Sequence, residues 1–357
     1  MSKDDKLRRE ETKTNPEDDY FNPLANGPRW MLTTRAVGMR TVAAIGSSVF
    51  GWLYPPTRTI WLFACALLSN DARPLTTARI QVDVWEPGPT ASVPVLRPAV
   101  INFHGGGFFF GLGTDDAWWT TTAAQVLDAV VFSVSYRLAP AHPFPIPVED
   151  CADAILQIAS RAADFDIDPD KIFLSGFSAG GNLCLASWVL LQQHSRWGYK
   201  IPPHVAIPNI KGMTLFYPGL DYTISRPRKR STCSRPDLTL PKFLTDIIDA
   251  SYVYPALTHE QHSDPRLSPG LMDDELIERL PQIHLCLCEH DMLTAEGKVF
   301  AERLRQRGKL ANLRIVLDEK HAWDKPPPMT LKESAHDEYH AALDSLKSLL
   351  DTAGTDI

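Results

Sequence analysis

The sequence has no run of about 20 apolar residues, the length a membrane-spanning helix requires. Thr41 to Ser69 is its most apolar region, but Tyr54-Pro55-Pro56-Thr57-Arg58 cuts it in two. Two apolar helices that pack on the core or line a lid are expected there, without membrane contact. A secretory leader is not expected either, because Met1 to Asp19 is densely charged and has no apolar centre. The six cysteines, Cys65, Cys151, Cys184, Cys233, Cys286 and Cys288, show neither a zinc spacing nor Cys-x-x-Cys. They read as small buried thiols, and a reducing, cytoplasmic setting is expected. Basic excess is absent too. The net charge of −7 argues against nucleic acid as the main partner. There are no internal repeats.

What is present suits a sizeable globular core. Of the 357 residues, 44% are hydrophobic and 22% charged. Residues 1 to about 25 read as a tail, and 28 to 72 as helical apolar segments. Apolar, β-branched runs at Arg79–Trp85, Ala99–Phe103, Ala129–Val134, Ile172–Leu174, Gly212–Tyr217, Ile283–Cys288 and Leu313–Leu317 read as strands. Helices are expected at Cys151–Ala162, from Leu183 onward, at Ala295–Arg307 and at Ser334–Leu350. This alternation predicts a largely parallel sheet covered on both faces, with a site beyond the carboxyl ends of its strands. The stretch 219–275, rich in Pro, Ser and Asp, breaks the alternation and reads as an insertion. Its basic run, Arg226-Pro227-Arg228-Lys229-Arg230, reads as a solvated loop.

The densest chemical signal is Gly176-Phe177-Ser178-Ala179-Gly180, between the strand at Ile172–Leu174 and the helix beyond Leu183. Gly-x-Ser-x-Gly in a strand–turn–helix context is a nucleophile elbow, which lifts the serine above the sheet. The N–H of Ala179, at the helix start, is left free to face an oxyanion. The run His104-Gly105-Gly106-Gly107 follows another strand and brings backbone N–H groups close to a substrate oxygen. It lacks the Lys-Ser/Thr ending of a phosphate-binding loop and the spacing of a dinucleotide fold. Paired with the elbow, it reads as part of an oxyanion hole.

A serine needs a base to take its proton, and the base needs a carboxylate to orient it. Downstream of Ser178, Asp291 follows one predicted strand and His321 another, in the chain order Ser, Asp, His. His321 stands in a loop closed by Pro326-Pro327-Pro328. Other candidates fit less well. His290 adjoins Asp291 and would point elsewhere, and His284 lies inside a strand. His336 and His340 share a helix face, with Asp337 and Glu338 expected exposed between them. Asp318 and Asp324 flank His321 too closely in sequence.

Beyond these groups, Tyr136-Arg137-Leu138-Ala139-Pro140, His142-Pro143-Phe144-Pro145, Asn182, Tyr217-Pro218, Asp291-Met292-Leu293 and Glu296-Gly297 complete a pattern over residues 80 to 350. It resembles the hormone-sensitive-lipase-type branch of the α/β-hydrolase superfamily. The resemblance implies an α/β-hydrolase fold: a mostly parallel central sheet, helices on both faces and a helical cap. The division would be a tail at 1–25, cap at 26–75 and 219–275, and core at 76–218 and 276–357. It further implies hydrolysis of a small-molecule carboxylic ester without metal or organic cofactor. Ser178 would be nucleophile, His321 base and Asp291 its orienter. Gly106, Gly107 and Ala179 would donate to the oxyanion, with His104 and Gly105 supporting that loop. Two positions depart from the branch: Phe177 stands where Asp or Thr is usual, and Ala141 where Glu is usual. Both bear on substrate choice, which Phe108, Phe109, Phe110, Trp118 and Trp119 would also shape. Acyl transfer or cyclisation on the same triad, and ligand reception on an inactive scaffold, are the alternative readings.

Overall fold

The structure, a computed structural model, describes residues 24, 27–63, 79–88, 96–325 and 331–351, and the side chains of all of these except 41–52. The charged stretch 1–19, the expected tail apart from Leu24, Cys65, residues 64–72 and Pro326-Pro327-Pro328 lie outside the described residues.

Strand β1 (Arg58–Phe63) pairs antiparallel with β2 (Arg79–Trp85), which pairs antiparallel with β4 (Val130–Ser135). From there the sheet is parallel through β3 (Arg97–Phe103), β5 (Ile167–Phe177), β6 (Ile210–Phe216), β7 (Gln282–His290) and β8 (Leu310–Lys320). The spatial order is β1-β2-β4-β3-β5-β6-β7-β8.

Alternation along the central strands divides the core into two layers, because successive side chains point to opposite faces. Ala99, Ile101, Phe103, Leu174, Met213, Leu215 and Leu285 pack on one face, with α3 (Ile146–Ser160), α4 (Ala179–Gln192) and α8 (Thr294–Gln306). Val100, Val131, Phe173, Phe216, Cys286 and Cys288 pack on the other, with α2 (Ala117–Leu127) and α9 (Glu333–Asp351). Both cysteines therefore share a face, as the period of two requires. Cys151 and Cys184 are also buried, whereas Cys233 is only half-buried.

Three expectations need correction. Helix α1 (Arg29–Leu53) occupies the first apolar segment, but Arg58–Phe63 of the second is an edge strand, not a helix. The basic run is helix α5 (Arg226–Ser231) and not a solvated loop: Lys229 is buried and ion-paired with buried Glu296. Glu338, expected exposed, is buried and takes a two-pronged contact from Arg314.

The segment 219–275 contributes α5 and α6 (Lys242–Tyr252), and α7 (Asp274–Arg279) begins at its end. Two devices tie it to the sheet. Asn182 Nδ2, on α4, donates to the carbonyls of Gly219 (2.8 Å) and Leu267 (3.0 Å). Glu296, on α8, accepts from the Leu220 N–H at 2.7 Å besides pairing with Lys229. Helix α1 lies against α6 through Ala36, Ile247 and Ile248, which enclose Phe109.

Candidate active site

Strand β5 ends at Phe177 and α4 begins at Ala179, so Ser178 alone makes the turn. Its φ of 53° and ψ of −112° lie where a side chain is strained. The surroundings hold it there: its N–H donates to the Phe216 carbonyl at 2.8 Å, and its carbonyl accepts from Asn182 N at 3.1 Å. The turn is tight enough that a Cβ at residue 180 would sit 1.8 Å from the Phe103 carbonyl oxygen. Only glycine lets α4 approach β3 this closely.

Asp291 directly follows β7 and His321 directly follows β8. The parallel pairing β5-β6-β7-β8 puts these ends on the same rim as the elbow. His321 Nε2 lies 2.8 Å from Ser178 Oγ, and His321 Nδ1 lies 2.6 Å from Asp291 Oδ2. A carboxylate only accepts, so Nδ1 carries the proton and Nε2 is free to accept from the hydroxyl. Asp291 Oδ1 accepts from Leu293 N at 3.1 Å, which fixes the carboxylate plane. Both side chains of the pair are almost fully buried, and the edge of the Tyr217 ring rests on the imidazole with centroids 4.8 Å apart.

Facing Ser178 is the loop after β3. Gly106 and Gly107 adopt φ of 102° and 62°, and their N–H groups donate to no described backbone carbonyl. The Ala179 N–H, at the first position of α4, has no partner within its helix. All three residues line one cavity with Ser178 and His321. His104 is fully buried behind the loop. Its ring stacks on Tyr136 at 4.3 Å, and Tyr136 donates its hydroxyl proton to the His104 carbonyl at 2.9 Å. Gly105 lines the cavity beside it.

The rival groups are placed elsewhere. His290 Nδ1 lies 3.0 Å from Ser234 Oγ, His284 Nδ1 lies 2.9 Å from Ser345 Oγ, and the His336 and His340 rings adjoin each other on α9. Asp318 is exposed. Asp324 is buried and binds Tyr217, Tyr339 and Lys325. Glu289, His290 and Asp318 each bring one ligand atom within 4.8 Å of the others, but none of them lines the cavity.

The cavity measures about 310 Å³. Of the five aromatics flagged in the sequence, Phe108 and Phe110 line it. Phe109 packs under α1, Trp118 against Tyr54, and Trp119 in the core, where its Nε1 donates to Ser175 Oγ at 3.0 Å. The opposite wall comes from the 219–275 segment, expected as cap, through Tyr222, Arg226, Leu240, Leu244, Thr245 and Ile248, residues that sequence reasoning did not single out for the cavity. The amphipathic spacing of Leu244 and Ile248 was its available signal.

It also missed a buried charge cluster beneath the elbow. Lys325 Nζ lies 2.8 Å from both Asp116 Oδ1 and Asp324 Oδ2, and 3.6 Å from the centre of the Phe177 ring. Burial pushes the Asp116 carboxyl up, against the opposing pull of Lys325 and Asn102. Burial works against the Lys325 charge, but Asp116 and Asp324 outweigh it and raise its pKa. Phe177, the departure from the family pattern, is thus a buried ring stacked on Phe216 at 4.4 Å with a cation over it.

Comparison with known proteins agrees with this architecture. A family model described as alpha/beta hydrolase fold matches residues 100–325. Arylacetamide deacetylase-like 2 of Homo sapiens is 32% identical over 267 residues, covering 59% of this chain and 64% of that protein. Carboxylesterase NlhH of Mycobacterium tuberculosis is 33% identical over 223 residues, covering 60% of this chain and 64% of the relative. The matches thus span slightly under two thirds of these curated relatives. A solved esterase of Pyrobaculum calidifontis superposes with a TM-score of 0.70 at 25% identity, over 89% of this chain and 93% of that one. On its matched residues, its sheet and its motifs, the chain belongs to the α/β hydrolase fold family, in the hormone-sensitive-lipase-type branch.

Proposed function

We propose that the protein hydrolyses carboxylic esters of apolar or medium-sized substrates through an acyl-enzyme on Ser178. The observation that carries this is the unbroken path from Ser178 Oγ to His321 Nε2 (2.8 Å) and from His321 Nδ1 to Asp291 Oδ2 (2.6 Å) at the wall of a largely apolar cavity.

In this reading Ser178 Oγ attacks the ester carbonyl carbon while Nε2 takes its proton. The carbonyl oxygen becomes an oxyanion facing the N–H groups of Gly106, Gly107 and Ala179, each contributing on the order of 3 kcal/mol. Collapse breaks the bond to the alcohol oxygen, which leaves with the proton from Nε2. Water then repeats the sequence with Nε2 as base, releasing the acid and restoring Ser178. Asp291 stabilises the transient imidazolium and stays ionised.

The test is a panel of aryl esters of varied acyl length, with free acid measured as product and intact mass recording acylated Ser178. Ser178→Ala is expected to lose turnover by at least 10³-fold, the scale for a triad member. Full turnover in that variant, or acyl transfer to an acceptor with no free acid formed, overturns the reading.

A further inference from the structure

The cavity beside Ser178 is apolar and aromatic over most of its wall, but one sector carries Asp115, Asp116 and Lys325. The charges there do not cancel. Lys325 is shared by two carboxylates, Asp116 and Asp324. Arg226, the other cation lining the cavity, is held by Asp249 at 2.8 and 2.7 Å. Asp115 has no cationic partner among the described residues. Its Oδ2 accepts from Leu112 N at 3.0 Å, and its Oδ1 is buried with no hydrogen-bond donor. Asp115, Asp116 and Asp324 are thus three carboxylates to the one Lys325, in a cavity that Phe108 and Phe110 also line. A surplus negative charge next to aromatic rings is the setting that recognises an organic cation, since the ring quadrupole and the carboxylate attract the same group.

We infer that this sector is a cation subsite, and that the preferred substrates are esters carrying a positively charged nitrogen, with Asp115 as the specificity-determining residue. The inference rests on the hydrolase reading above for its substrates but not for its binding chemistry. A cationic group in the cavity offsets the unpaired Asp115 charge by coulombic attraction, which a neutral group of the same shape cannot do. Lys325 does not repel the ligand strongly, because its charge is already shared between two acids and a ring.

Two measurements test this. In the first, kcat/KM is compared for ester pairs that differ only in a quaternary ammonium centre against its carbon isostere, with the group placed on the acyl side in one pair and on the alcohol side in the other. The wild type is expected to favour the cationic member of at least one pair about tenfold, a difference of about 1.4 kcal/mol. In Asp115→Asn the preference is expected to fall to near unity. Each ratio is taken within one protein, so a loss of folded enzyme cancels. In the second, binding of benzyltrimethylammonium and of neopentylbenzene to the wild-type protein is measured by calorimetry, which needs no turnover. The cation is expected to bind at least fivefold more tightly, with the difference lost in Asp115→Asn. Equal or weaker binding of the cation, no binding of either, or a preference that survives in Asp115→Asn overturns the subsite. If no ester is hydrolysed but the cation still binds selectively, the hydrolase reading fails and the subsite stands.

Discussion

The orientation of one imidazole rests on one carboxylate oxygen. Asp291 can only accept, so it holds the His321 proton on Nδ1 and keeps Nε2 open toward Ser178. In Asp291→Asn the amide can donate to Nδ1 and stabilise the wrong tautomer. Turnover is expected to fall on the order of 10⁴-fold, with little change in thermal midpoint, and steady-state hydrolysis beside a melting curve checks both. Phe177 permits a second prediction. Its fully buried ring lies under the Lys325 ammonium, whose side chain is 23% exposed to the cavity, and a cation–π contact there is worth about 1 kcal/mol. A double-mutant cycle of Phe177→Leu and Lys325→Met, read by denaturant unfolding, is expected to give a coupling of about that size. The convergence of Ser178, Asp291 and His321 could be read from the sequence because each follows a strand and their chain order is informative. That of Lys325, Asp115 and Arg226 could not. A lone Lys after a histidine loop, or an Asp in a turn, carries no local mark of the partners that folding brings to it.

Elements show the same divide between local and distant causes. The central strands could be read from their apolar runs and period of two, whereas β1 was misread because a short apolar run such as Ile60–Phe63 fits a buried helix turn and a strand equally well. Its β-branched and aromatic residues, Thr59, Ile60, Trp61 and Phe63, were the better guide. Helix α5 was misread for an energetic reason. Five consecutive residues, four of them basic, normally lie in water, but here Lys229 is buried against Glu296, which arrives from α8. That pair fastens the 219–275 wall of the cavity to the core. Lys229→Met leaves the Glu296 carboxylate buried without its cation, and a cost of about 3–5 kcal/mol is expected. Adding Glu296→Gln, which keeps an acceptor for the Leu220 N–H, is expected to restore most of the loss. Chemical unfolding of the single and double variants decides it, and equal stability of the two would show that the pair is not what fastens the segment.

For the molecule as a whole, the sheet that brings Ser178, Asp291 and His321 to one rim also buries a titratable group that the proposed chemistry does not use. His284 lies on β7, 1% exposed, with Nδ1 on Ser345 of α9 and Nε2 lacking a partner among the described residues. Burial, and then the nearby Arg314 cation, push its pKa down from 6.5 to about 4. The native state therefore holds His284 neutral at pH values where the unfolded chain has already bound a proton. Because the unfolded state binds more protons between about pH 6.5 and 4, stability rises with pH in that window and falls as the medium is acidified through it. Below about pH 4 both states are protonated and this contribution stops changing. Integrated from pH 7 to 5, the loss amounts to about 2 kcal/mol. His142 and His262, also lowered chiefly by burial, act in the same direction from less enclosed sites. His284→Asn keeps a hydrogen-bonding group toward Ser345 and removes the titration. Its unfolding free energy is expected to depend on pH less steeply than that of the wild type between 7 and 5, by about 2 kcal/mol over the interval. Parallel slopes for the two proteins would mean that the imidazole is protonated in the fold after all, with Arg314 displaced from it.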